Sequence, residues 1–84
     1  MLDNRTETFL AVCREMSFTK AARALHISQP AVSQHIQYLE DYYATKLFHF
    51  EGKKICLTDA GLLLQKSFTS LRNNEIYLKE QIAM

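Results

Sequence analysis

The only proline in this 84-residue chain, Pro30, stands two residues after Ser28, and that pairing constrains the fold more than any other short stretch. A serine hydroxyl caps the free N–H groups at a helix start, and proline, lacking an N–H, is at ease only in the first turn. A helix therefore begins near Gln29. Along it Val32, Ile36, Leu39 and Tyr43 recur at spacings of four, three and four, one apolar stripe facing inward. Gln29, Ser33, Gln34 and Gln37 make an outward stripe of amides and a hydroxyl.

Two helices precede it. From Thr6 to Met16, the residues Phe9, Val12, Cys13 and Met16 keep the i, i+3, i+4, i+7 spacing of an amphipathic helix, with Asp3 or Asn4 as its cap. A short second helix runs through Lys20, Ala21, Ala22, Arg23, Ala24 and Leu25, capped by Thr19, and its small side chains permit close approach of a neighbour. Beyond Tyr43 the pattern changes to short apolar runs, Lys46 to Phe50 and Ile55 to Leu57, separated by a turn at Glu51, Gly52 and Lys53. This reads as a β-hairpin. Thr58 then caps a long last helix, with Asp59 in its first turn favouring the dipole, that continues close to Met84.

Composition decides what this framework is not. Apolar residues make up 48% of the chain against two glycines, which excludes disordered and collagen-like classes, and a core this small benefits from a disulfide, a metal or a partner subunit. No apolar run approaches the roughly 20 residues that span a bilayer. The N-terminus carries Asp3 and Glu7 instead of a basic signal sequence, so a cytoplasmic protein without membrane contact is expected. Cys13 and Cys56 are expected as free thiols there. His26, His35 and His49 form no ligand pair with a cysteine or an acid along the chain, so neither a metal nor a cofactor is expected.

A net charge of +1 says nothing about nucleic acid, which leaves local patterning to decide. No acidic residue lies between Glu15 and Glu40, whereas Lys20 and Arg23 do, so this stretch can approach phosphates without repulsion. A short helix, a tight turn, a second helix with amides outward and a basic hairpin make a winged helix-turn-helix. The fold class is mainly α: three helices plus a two-stranded wing, followed by a long linker helix. Glutamine can bond the N6 and N7 edge of adenine, serine can bond several bases, and a helix start suits a phosphate.

Phe18-Thr19-Lys20-Ala21-Ala22, Leu25, Ser28-Gln29-Pro30-Ala31-Val32-Ser33, Ile36, Leu39-Glu40, Leu47-Phe48 and Leu57-Thr58-Asp59-Ala60-Gly61 together resemble the DNA-binding domain of LysR-type transcriptional regulators. The resemblance implies a winged helix-turn-helix domain over 1–58, with the helix-turn-helix motif at 18–37 and the wing at about 47–57, and a dimerisation helix over 59–84. It implies sequence-specific binding of double-stranded DNA and carries the contacts onto Gln29, Pro30, Ser33, Gln34 and Gln37 of the recognition helix and Lys53 of the wing. Ser28 at the helix start and Lys54 beside Lys53 complete that set. Ala44 stands where the family usually has glycine at the end of the recognition helix, and Phe50 where it often has arginine after the Leu-Phe pair.

A homodimer on an operator with two-fold half-sites is implied as well, with a tetramer in a longer native chain and a small-molecule effector bound only by a downstream domain. Leu64, Phe68, Leu71, Leu78 and Ile82 fall at spacings of four, three, seven and four, a seam suited to a partner helix, the alternative being packing on the first helix alone, and Glu75 in the gap has to reach solvent or a basic partner such as Arg72 or Lys79. The alternative, a protein-interaction module without DNA specificity, calls for an apolar anchor on the outward stripe, which carries amides instead. An enzyme is disfavoured because Ser28, Ser33 and His35 share one helix without an oxyanion turn or a buried acid.

Overall fold

The computed structural model describes residues 3–83, in the order α1 (Asn4–Glu15), α2 (Phe18–Leu25), α3 (Gln29–Tyr43), β1 (Phe48–Glu51), β2 (Lys54–Leu57) and α4 (Asp59–Ala83). Helix α1 starts two residues before Thr6 because Asp3 is its cap, the carboxylate accepting from the N–H groups of Arg5 at 3.0 Å and Thr6 at 3.1 Å. The Thr6 bond foremost, then that of Arg5, holds the Asp3 carboxyl below its ordinary range. A depressed folded pKa means the cap stabilises above the unfolded value and loses its effect as pH falls through the folded one. Met16 turns into a left-handed conformation with φ 51 past the helix end and is 39% exposed, so it leaves the inward stripe expected of it.

Ser17, not Thr19, caps α2: its hydroxyl accepts from the Lys20 N–H at 3.1 Å. Phe18 thereby opens the helix and packs edge-on to Phe48 at 6.0 Å. Ser28 caps α3 by accepting from the Ala31 N–H at 3.2 Å, with Pro30 in the first turn. Val32, Ile36 and Leu39 are buried, but Tyr43 is 43% exposed because the last turn of α3 outruns the core.

Helix α3 ends on Ala44 at φ 54, a left-handed position that suits glycine and strains a residue with a Cβ. Ala44→Gly is expected to raise stability by about 0.5–1 kcal/mol, seen as a later urea midpoint with an unchanged slope. An earlier midpoint would show that the strain is not there.

Leu47 anchors the hairpin, its N–H donating to the Glu40 carboxylate at 2.8 Å and its carbonyl accepting from the Thr58 N–H at 3.0 Å. The strand therefore starts at Phe48 instead of Lys46, and Glu51 belongs to it, leaving a two-residue loop of Gly52 and Lys53 with Gly52 at φ 65. The antiparallel register sets Phe48 opposite Leu57, His49 opposite Cys56, Phe50 opposite Ile55 and Glu51 opposite Lys54. Thr58 closes the base: its hydroxyl donates to the Lys46 carbonyl at 2.7 Å and accepts from the Gly61 N–H at 3.0 Å, capping α4 as expected.

The core gathers around Phe9, fully buried on α1, with the Phe48 ring 5.4 Å away and the Phe68 ring at 5.8 Å. Val12, Ala21, Val32, Ile36, Leu47, Ile55 and Leu64 complete it. Past Phe68 the long helix leaves the core but still meets α1, through Arg72 and Glu7 at 3.6 Å, and the overall dimensions are 49 × 27 × 20 Å. Both cysteines are free; burial pushes the Cys13 thiol up to about 12, while Cys56 is half-buried on the wing.

Candidate nucleic-acid interface

Ser28, Gln29, Pro30, Ser33, Gln34 and Gln37 are all exposed, along one side of α3 and its start. The buried Ala21, Ala22 and Val32 hold α2 close beneath, which fixes how α3 projects from the body. Ser28 commits its oxygen lone pair to the cap. Gln29 is held by Thr19, whose hydroxyl donates to the glutamine Oε1 at 3.3 Å, leaving the amide N–H groups to face outward. Thr19 thus positions the Gln29 side chain instead of capping a helix, a role that needs the α2–α3 turn to be folded before it can be seen. Gln37 donates to Asp41 at 2.8 Å, which ties its amide to a carboxylate. The two ends of the stripe differ accordingly: the Gln29–Ser33 end is free of acids, and the Gln37 end carries one.

Lys20 and Arg23 are exposed on α2, and Lys53 and Lys54 are exposed around the hairpin loop, with Phe50 standing 65% exposed on the same wing. Glu40, whose side chain is only 11% exposed, fastens the wing to α3 through the Leu47 N–H and lies 3.7 Å from the Lys46 ammonium. Its value is positional: it sets the distance between α3 and the wing while keeping its own charge engaged.

His35 is half-buried, with Nδ1 2.7 Å from the Thr8 hydroxyl, which itself donates to the Asn4 carbonyl at 2.9 Å. One hydroxyl has one proton, so the imidazole Nδ1 is the donor of that pair. The histidine is thereby bound to α1.

The dimer seam divides. Leu64 and Phe68 are 9% and 8% exposed and belong to the domain's own core, a correction to the seam read from their spacing. Leu71, Leu78 and Ile82 are 48%, 43% and 81% exposed, joined by Leu63 and Ile76. Leu63 and Leu71 also border a groove of about 400 Å³ lined by Tyr43, Leu47 and Ser67. Arg72 pairs with Glu7 at 3.6 Å, not with Glu75. Among the described residues, no helix is long and apolar enough to cross a membrane.

Residues 4–62 match the family model for bacterial regulatory helix-turn-helix proteins of the lysR family. The RuBisCO operon transcriptional regulator of Allochromatium vinosum is 51% identical over 53 residues, covering 63% of this chain and 18% of that protein. A LysR-family transcriptional regulator from Eggerthella lenta DSM 2243 superposes with TM-score 0.78 at 56% identity, covering 82% of this chain and 99% of that one. The BenM_DBD/benA site 1 DNA complex superposes with TM-score 0.85 at 31% identity, over 99% of this chain and 97% of that one. The chain spans from 17% to 37% of the length of the curated relatives it matches.

Proposed function

The chain belongs to the lysR family of bacterial regulatory helix-turn-helix proteins, and on that premise we propose that it binds double-stranded DNA sequence-specifically as the DNA-reading domain of a transcriptional regulator. The N-terminal half of α3 enters the major groove, and the wing lies on the backbone or in the minor groove. The DNA-binding unit is assigned to 1–58 and dimerisation to 59–84, of which α4 covers Asp59–Ala83; Met1, Leu2 and Met84 lie outside the described residues. The observation that carries this reading is the Thr19-held Gln29, with Ser33 one turn on, facing outward from a stretch without acids. The DNA complex of BenM_DBD, so similar over nearly the whole chain, supports it.

Two copies pair through the exposed part of α4 and set their recognition helices about 34 Å apart on an operator with two-fold half-sites. In a longer regulator, tetramer formation and response to a small-molecule effector would reside in a downstream domain; the regulator works in the cytoplasm without catalytic activity. A protein-interaction role for α3 is disfavoured because its outward stripe offers no apolar anchor.

The test of the wing is electrostatic. Lys53→Ala with Lys54→Ala is expected to lower the slope of log affinity against log salt by roughly one to two units, equally on operator and random DNA. Fluorescence anisotropy over a salt series measures it. An unchanged slope removes the wing from the interface, and no binding of wild type to any duplex at low salt removes the DNA reading itself.

A further inference from the structure

The wing brings together three side chains that the chain keeps apart in kind and position. His49 and Cys56 are direct cross-strand partners, and Glu51 lies two residues beyond His49 on the same strand, so all three project from one face of the hairpin. Their ligand atoms, one from each residue, lie within 4.8 Å of one another, with His49 and Glu51 exposed and Cys56 half-buried. The opposite face is spent on the core through Phe48 and Ile55.

From this juxtaposition we propose that the wing holds a thiophilic divalent cation, Zn²⁺ in kind, through His49, Glu51 and Cys56. Zinc takes imidazole, carboxylate and thiolate donors at about 2.0–2.3 Å, which puts the donor atoms of a tetrahedral set roughly 3.3–3.8 Å apart. Closing from 4.8 Å to that spacing takes only side-chain rotation at an exposed surface. Calcium and magnesium demand oxygen donors and do not suit a sulfur–nitrogen–oxygen trio. On binding, the Cys56 thiol yields its proton to solvent and forms the thiolate ligand. Three protein ligands leave the fourth position open to water.

The placement gives the cation an effect. Glu51 is the only acid of the wing segment 47–57. Zinc balances the Glu51 carboxylate and the Cys56 thiolate together, so an occupied site removes the wing's single negative charge beside Lys53 and Lys54. On the DNA-binding reading, that strengthens the wing's hold on phosphate.

Titration of the reduced, intact chain with Co²⁺ in the absence of DNA tests the site independently of that reading. A thiolate-to-cobalt charge-transfer band saturating at one cobalt per chain, displaced by Zn²⁺, is expected. Cys56→Ser should abolish the band, Cys13→Ala should retain it, and His49→Ala and Glu51→Gln should each weaken binding by at least about tenfold, the smallest cost that even outer-shell changes carry. His49 and Glu51 are exposed, so these two variants probe the ligands without disturbing the core. Absence of the band in wild type, its survival in Cys56→Ser, or unaltered affinity in both His49→Ala and Glu51→Gln overturns the proposal.

Discussion

Leu71→Asp combined with Leu78→Asp is expected to convert a dimer into a monomer and to lower operator affinity by about 10²- to 10⁴-fold, the factor that two linked binding sites gain over one. Both leucines are close to half exposed and lie outside the buried core, so the substitutions remove little from it. In a helix pair they would bury four unpaired carboxylates, which a seam cannot accommodate. The contrast with Leu64 and Phe68 is instructive: those are buried within one domain, and replacing them would unfold it instead of separating two copies. Sedimentation at micromolar concentration reads the mass, and circular dichroism checks that helix content is retained. A wild-type monomer, or an unchanged mass in the double variant, rules out pairing through this face.

Gly61→Ala is expected to destabilise the domain by about 3 kcal/mol, at the top of the range for overpacking. A Cβ at this position would overlap the Leu47 carbonyl oxygen and lie 2.9 Å from Leu57 Cδ2 and 3.1 Å from the Leu47 carbonyl carbon. Two of those three atoms are backbone, and that backbone is fixed on both sides, by Glu40 at the Leu47 N–H and by Thr58 at its carbonyl. The clash cannot be relieved by turning a side chain, so the hairpin base and the start of α4 must separate. Because a small domain has only about 5–15 kcal/mol in total, urea unfolding should show a much earlier midpoint. A loss below about 1 kcal/mol would mean the α4–hairpin junction yields easily.

How far the fold can be read from residues alone follows from the range of the chemistry involved. Ser28 with Pro30, and Thr58 with Asp59, act on backbone groups two or three residues away, and both helix starts lie where those residues require. Ser17 and Thr19 are equally good caps, and the choice between them depends on Phe18 packing against Phe48, a contact made across 30 positions of sequence. Periodicity identified the apolar stripe of α4 without saying what covers it: Leu64 and Phe68 meet the core, while Leu71 and Leu78 do not. The His49–Glu51–Cys56 cluster was hidden for a sharper reason. It exists because Glu51 pairs with Lys54 around a two-residue loop, and a one-residue change of register would send Cys56 to the other face. Gln29, Ser33 and their neighbours were identifiable as an outward polar stripe, whereas the Thr19 and Asp41 bonds that distinguish its two ends depend on tertiary and side-chain geometry.

The proposed sequence-specific reading of DNA by α3 assigns its leading base contact to Gln29, whose truncation is the most direct trial. Selection of a preferred duplex from a random pool supplies the probe, and competition binding then compares wild type with Gln29→Ala on that duplex and on a scrambled one. The expected result is a loss of about 1–3 kcal/mol on the selected duplex with binding to the scrambled duplex nearly unchanged, since one base contact is removed and the phosphate contacts remain. Equal losses on both duplexes, or no loss on either, would contradict base reading by this helix.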